Sequence, residues 1–218
     1  MGLAGSPAQI ATAALPRHRR LAQAGCEWYA VTMNEMTRIV AAPGSTKVRI
    51  TTAQFLRMCE AGVFDDEDDN IELVDGELER MPPPHRGHSL LQGAVYAQLV
   101  ALFGAERVGV EIGMMLGDDT VVGCDVALLH EPMIENRMIR ADEVLLAIEV
   151  AETTLKRDTG IKLAKYADAG VPHYWVVDGG RAIVHLYAEP AEADYARFDL
   201  ARFGESLAVP GSDATITL

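Results

Sequence analysis

The chain has 218 residues, enough for one well-packed domain or a domain with an arm, and no apolar run approaches the roughly 20 residues needed to span a bilayer. At 49% hydrophobic and 23% charged it has the make-up of an ordinary soluble globular protein, and its three cysteines, Cys26, Cys59 and Cys124, are scattered without a CxxC. That pattern argues against a thiolate metal site or a disulfide framework and points to reduced thiols in a cytoplasmic protein. The net charge of −13 is uneven: residues 1–49 hold six basic and two acidic groups (+4), and the remainder holds 13 basic and 30 acidic (−17). Such a body repels a polyanion at long range, so any contact with nucleic acid has to be local, metal-assisted or guided by a partner.

Residues 1–46, rich in Ala, Gly, Arg and Pro around "LPRHRRLAQAG", read as a flexible arm without a secretory signal, and Met33 and Met36 are alternative starts. Order is expected from near Val48. Thr51 or Thr52 can cap a short helix, "TAQFLRMCEAG", that stops at Gly62. In "DDEDDNIELVDGELERMPPP" two short strands meet at Asp75-Gly76, and Pro82 to Pro84 end the hairpin. "HRGHSLLQGAVYAQLVALFG" sets Leu91, Val95, Leu99 and Leu102 at helical spacing. "RVGVEIGMML", the turn "GDD" and "TVVGCDVALLH" read as strands, Glu131 to Glu143 as loosely helical, and "LLAIEVA" as a buried strand. Arg157 to Gly170 reads as a helix with Gly170 as its stop. "HYWVVD", Gly179-Gly180 and "AIVHLYAE" make a second hairpin, and the last thirty residues read as irregular segments with short strands. The order predicts an α/β fold around a mixed sheet, with residues 47–218 as a single domain.

Two carboxylates stand in apolar strands: Asp125 in "VVGCDVALL" and Glu149 in "LLAIEVA". A charge in such a setting is costly unless it is paired, hydrogen-bonded or bound to a cation. Adjacent strands would place the two side by side, where each raises the other's pKa, and a divalent cation relieves both. Hard oxygen ligands suit Mg²⁺ or Mn²⁺. At 100° per residue Asp158, Lys162 and Tyr166 share one helix flank. Lys162, at the border of the apolar face, can reach back toward Glu149, whereas Lys165 points to solvent. The plain alternatives are an edge-strand carboxylate facing water and an ordinary helix lysine. The sequence contains no Gly-rich phosphate loop, Ser-His-Asp order or dinucleotide fingerprint.

"IELVDGELERMPPP", the following His and helix, "CDVALL", "AIEVAETTLKRD" and "KLAKYADAGVPHYWVVD" together resemble the Uma family of restriction endonucleases, of the PD-(D/E)XK nuclease superfamily. The likeness runs over roughly residues 48–190 and is sharpest in "KYADAGVPHYWVVD". It implies a restriction-endonuclease-like core, a mixed β-sheet flanked by helices, and an Mg-dependent endonuclease that hydrolyses phosphodiester bonds in DNA. Asp125 and Glu149 match the motif acids as catalytic metal ligands, and Glu72 resembles a further acidic ligand. The superfamily's lysine, normally two residues after the second acid, is replaced here by Ala151, which makes Lys162 the catalytic candidate. His88 matches the histidine that opens the helix, for which a plain first-turn residue is the alternative, and Tyr166 is a possible support for the lysine. Cys124 stands where the family usually carries Pro.

Mg²⁺ or Mn²⁺ held by Asp125, Glu149 and Glu72 would polarise the phosphate and generate hydroxide, with Lys162 orienting water or offsetting charge. Arg80, Arg86, Lys156, Arg157 and Lys162 are expected to form a local cationic patch. DNA is the expected partner, in a homodimer whose two sites cut both strands, with no membrane association. Two other readings stay open: a catalytically inactive nuclease-fold module for dimerisation or partner binding, and a hydrolase of a smaller phosphoester.

Overall fold

Thr51 starts the first helix, α1 (Thr52–Glu60), through a capping box: its hydroxyl accepts from the Gln54 N–H, and the Gln54 side chain accepts from the Thr51 N–H. The computed structural model describes residues 46–65 and 70–218, and residues 47–218 form one compact unit. The expected arm over residues 1–46 lies, except for Thr46, outside the described residues. The acidic run at 65–69 lies outside them except for Asp65. Strands β1 (Asn70–Val74) and β2 (Glu77–Met81) pair antiparallel about Asp75 and Gly76, whose φ values of 51° and 73° define the mirror-image turn suited to twisted strands. Helix α2 (Arg86–Phe103) buries Gln92, Val95 and Leu99.

Then follow β3 (Val108–Met115), β4 (Val121–Leu129), β5 (Ile139–Arg140), β6 (Val144–Ala151) and α3 (Leu155–Arg157). A π-helical turn, Asp158–Lys162, joins α3 to α4 (Leu163–Asp168), and β7 (His173–Asp178), β8 (Ile183–Ala191), β9 (Asp194–Arg202), β10 (Leu207–Ala208) and β11 (Thr215–Ile216) complete the chain. The main sheet runs β2-β1-β4-β6-β7-β8-β9, with β3 on the far side of β4 and β5 beside β3.

This order makes a fork. β3 takes one edge of β4 along its length, while the other edge is shared: β6 pairs with Val126 to Leu129, and β1 pairs only at Val121. Residues 122–125 of β4 therefore have no strand partner on that edge among the described residues. The fork is where the candidate site residues gather.

The sheet's two faces carry separate cores. In β6, Ala147 and Ala151 face α4 with Leu163, Tyr166 and Ala167. Leu146, Ile148 and Val150 face α2 and the C-terminal segment, packing with Val95, Leu99, Leu207 and Ile216. A strand apolar on both faces is what a central position between two layers requires.

Three expectations change. Glu131 to Glu143 contains β5 and a single 3₁₀ turn at Ala141–Glu143, because Ile139 is drawn into the sheet beside Met114. The helix expected over 157–170 is interrupted by the π turn, although Gly170 does stop it at φ 77°. The last thirty residues include a nine-residue strand, β9, held by its ladder to β8 although only Tyr195 and Ala201 of it are buried. Among the described residues no helix is long and apolar enough to cross a membrane.

Candidate active site

The site begins with a break in alternation. Val122 and Cys124 of β4 face the α4-side core, yet Val126 and Leu128 face the α2-side core, so the strand changes face at Asp125. The β3–β4 register does not slip across this point, but it skips the pair that would join Asp125 to Glu111. Glu111 absorbs the distortion, with φ 48° in the left-handed region that side chains rarely adopt. Asp125 is thereby set at the mouth of the fork with its side chain 14% exposed. Its Oδ2 accepts the Val150 N–H at 2.6 Å, one step beyond the last β4–β6 pair at Val126↔Ile148. A carboxylate thus takes the place of a ladder carbonyl.

Gly123, on the open edge, is held in the same way. Its N–H donates to Glu72 Oε1 at 2.9 Å, and its carbonyl accepts from Lys162 Nζ at 3.0 Å. Unpaired backbone groups in the interior are costly, so Glu72 and Lys162 serve the fold as well as any chemistry. Glu72 Oε2 is bound by Arg157, whose guanidinium also grips Glu79.

Glu149 is almost completely buried, and both of its hydrogen bonds fall on Oε1: Lys162 Nζ donates at 3.0 Å and the Tyr166 hydroxyl at 2.7 Å. Lys162 is also 3.5 Å from Glu72 Oε1. The π turn, closed by i→i+5 bonds, ends at Lys162, which is 5% exposed. Tyr166 is stacked on Tyr174 at 4.7 Å between ring centroids, which fixes its hydroxyl. Lys165, expected in solvent, pairs instead with the Asp75 carboxylate of the β1–β2 turn.

His88 and Gln92 approach from the first two turns of α2. His88 Nε2 is 3.3 Å from Asp125 Oδ1, but this buried nitrogen makes no aligned hydrogen bond. The Gln92 amide donates to the Asp125 carbonyl at 3.1 Å and to Glu111 Oε1, tying β3 to β4 where their pairing lapses. Ligand atoms of His88, Glu111 and Asp125 lie within 4.8 Å of one another. The sequence reading missed Glu111. Counting outward from the "GDD" turn places it opposite Asp125, and that was the signal available.

Burial pushes the Glu149 carboxyl well above the usual carboxylate range, with Lys162 pulling the other way. For Lys162 burial acts downward, but Glu149 and then Glu72 outweigh it, so the ammonium is raised and stays charged. The Asp125 carboxylate raises His88 above an ordinary imidazole, and burial raises Asp158. Burial also raises the Cys124 thiol, so this cysteine is an inert core residue. Glu72, His88, Asp125, Glu149 and Lys162 all line one open cavity of about 740 Å³, with Pro82 to Pro84 on its wall, and Tyr166 stands behind Glu149. Of the expected cationic patch, Arg157 and Lys162 turn inward onto carboxylates.

A cation suits this donor set: one imidazole nitrogen without a hydrogen-bond partner, with carboxylates around it. A large mixed sheet flanked by helices gives the chain a restriction-endonuclease-like fold. The crystal structure of "a putative nuclease belonging to DUF820" from Anabaena variabilis ATCC 29413 is similar, with a TM-score of 0.57 and 17% identity over 77% of this chain and 94% of that one. Residues 52–216 match the family Uma2, described as "Putative restriction endonuclease", and the chain belongs to that family. No curated protein matches the chain. Family membership supports a nuclease role.

Proposed function

We propose that the protein is a divalent-metal-dependent endonuclease that hydrolyses phosphodiester bonds in DNA. The observation that carries this reading is the meeting of Asp125, Glu149 and Lys162 at the sheet fork, opening into a cavity of about 740 Å³. Asp125 and Glu149 would hold Mg²⁺ or Mn²⁺, with His88 and Glu111 as further donors around Asp125. Glu72 lies behind them, one oxygen on Gly123 and the other on Arg157. When bound, the cation supplies Lewis acidity to a phosphate oxygen and makes a bound water a nucleophile at neutral pH.

The chain's own residues do the rest. Lys162, kept cationic by Glu149 and Glu72, offsets negative charge developing at the phosphate. Tyr166 holds the Glu149 carboxylate in one orientation. A homodimer would present two such sites to a duplex.

A second reading, a nuclease fold retained for binding without cleavage, draws on the acidity of the site and on the internal engagement of Arg157 and Lys162. Calorimetry with Mn²⁺ separates the two. The nuclease reading expects binding by the wild type, loss in Asp125→Ala and Glu149→Gln, and plasmid nicking that fails in Lys162→Ala. A folded wild type that binds no metal leaves the binding module as the better account.

A further inference from the structure

At the opposite end of the sheet from β1 and β2, β9 is an edge strand whose only partner among the described residues is β8. Seven of its nine residues are exposed, including Phe198 at 55% and Leu200 at 50%. Edge strands are usually blunted by charged side chains, Lys above all, by Pro or by bulges, to prevent pairing with another chain. β9, "DYARFDLAR", has no Lys or Pro, and its charges are two Asp and two Arg, which can answer one another rather than only repel.

Its charges suit one partner well. An antiparallel pairing of two β9 strands centred on Phe198 sets Arg197 opposite Asp199 and Asp194 opposite Arg202, each twice by symmetry. Oppositely charged residues facing each other across an antiparallel pair stabilise that register, and like charges oppose it. Phe198 falls on the axis and meets its own copy. The ring is already fixed from behind by Tyr187 at 4.9 Å and His185 at 6.0 Å between centroids, so little freedom is lost on docking. Arg197 now reaches Glu189 at 3.2 Å, with both side chains largely in solvent, and that contact is weak enough to be shared or exchanged.

We infer that the outer edge of β9 is the docking surface for a second copy of this chain, strand against strand about a two-fold axis at Phe198, continuing the sheet from one protomer into the next. The arrangement goes beyond the nuclease reading and does not depend on it, since none of these residues lies at the fork.

Sedimentation velocity on the full chain over a series of micromolar concentrations tests it, with melting curves to establish that each variant is folded. The wild type should dimerise. Arg197→Asp and Asp199→Arg should each weaken dimerisation roughly tenfold or more, because each replaces two opposite-charge pairs by two like-charge pairs. The double variant Arg197→Asp/Asp199→Arg should restore it, since the pairs re-form with signs exchanged. A wild type that stays monomeric at the highest concentration overturns the inference. So does a dimer indifferent to the single reversals, or one that the double exchange fails to recover.

Discussion

The two ends of the sheet are built by different rules. From β7 to β9 antiparallel ladders pair the backbone, lapsing at Glu189 (φ 62°) between β8 and β9, and the side chains are left to stack, pack or face water. At the fork between β1, β4 and β6 the ladder lapses, and the backbone of Gly123 and Val150 is met by Glu72, Lys162 and Asp125 instead. At the regular end the backbone pairing rests on no single side chain. At the fork each charged group is held by its neighbours, and removing one leaves others buried without a partner.

The largest effect expected from that contrast is at Lys162. Lys162→Met leaves Glu149 buried with one of its two hydrogen bonds and should cost about 3–5 kcal/mol in urea unfolding, as broken buried pairs do. Adding Glu149→Gln should recover a large part of it. If the single variant costs less than 1 kcal/mol, the pair is not structural. Asp125→Ala should cost about 1–3 kcal/mol through the orphaned Val150 N–H, a loss measurable without any metal. Tyr166→Phe removes one hydrogen bond onto Glu149 and should cost about 1 kcal/mol while keeping the stack on Tyr174.

The smallest effect lies away from both ends, at Glu143. The hydrogen bond from Arg137 holds its carboxyl low, from 4.5 down to about 2. A carboxyl depressed on folding contributes stability above its unfolded pKa and loses it as pH falls toward the folded value. Glu143→Gln should therefore be slightly less stable than wild type at pH 6, with the gap closing as pH falls from about 4.5 toward 2. A gap that widens on acidification would reverse the assignment.

Much of this arrangement was legible before any coordinates. Asp75-Gly76 announced its hairpin, Gly170 its helix stop, and the carboxylates at 125 and 149 stood out because apolar strands rarely carry them. Lys162 was reached by helix phase and family likeness together, and the phase alone left it at the border of the face. The π turn that ends at it leaves no mark in composition, because i→i+5 bonding asks nothing special of "DTGIK". Glu111 was missed because a left-handed backbone is written plainly only where Gly or Asn stands. The fork depends on which distant strands share an edge of β4, and β9 on a ladder to β8 rather than on an apolar stripe; neither is a local property.

The capping of Gly123 by Glu72 and Lys162 ties the fold to the site. A chain with this fold and no cleavage activity would still need those two side chains, because losing either would expose a gap in its own sheet. A substitution at Glu72 or Lys162 is therefore read first in the folding of the sheet and only then in any chemistry at the fork.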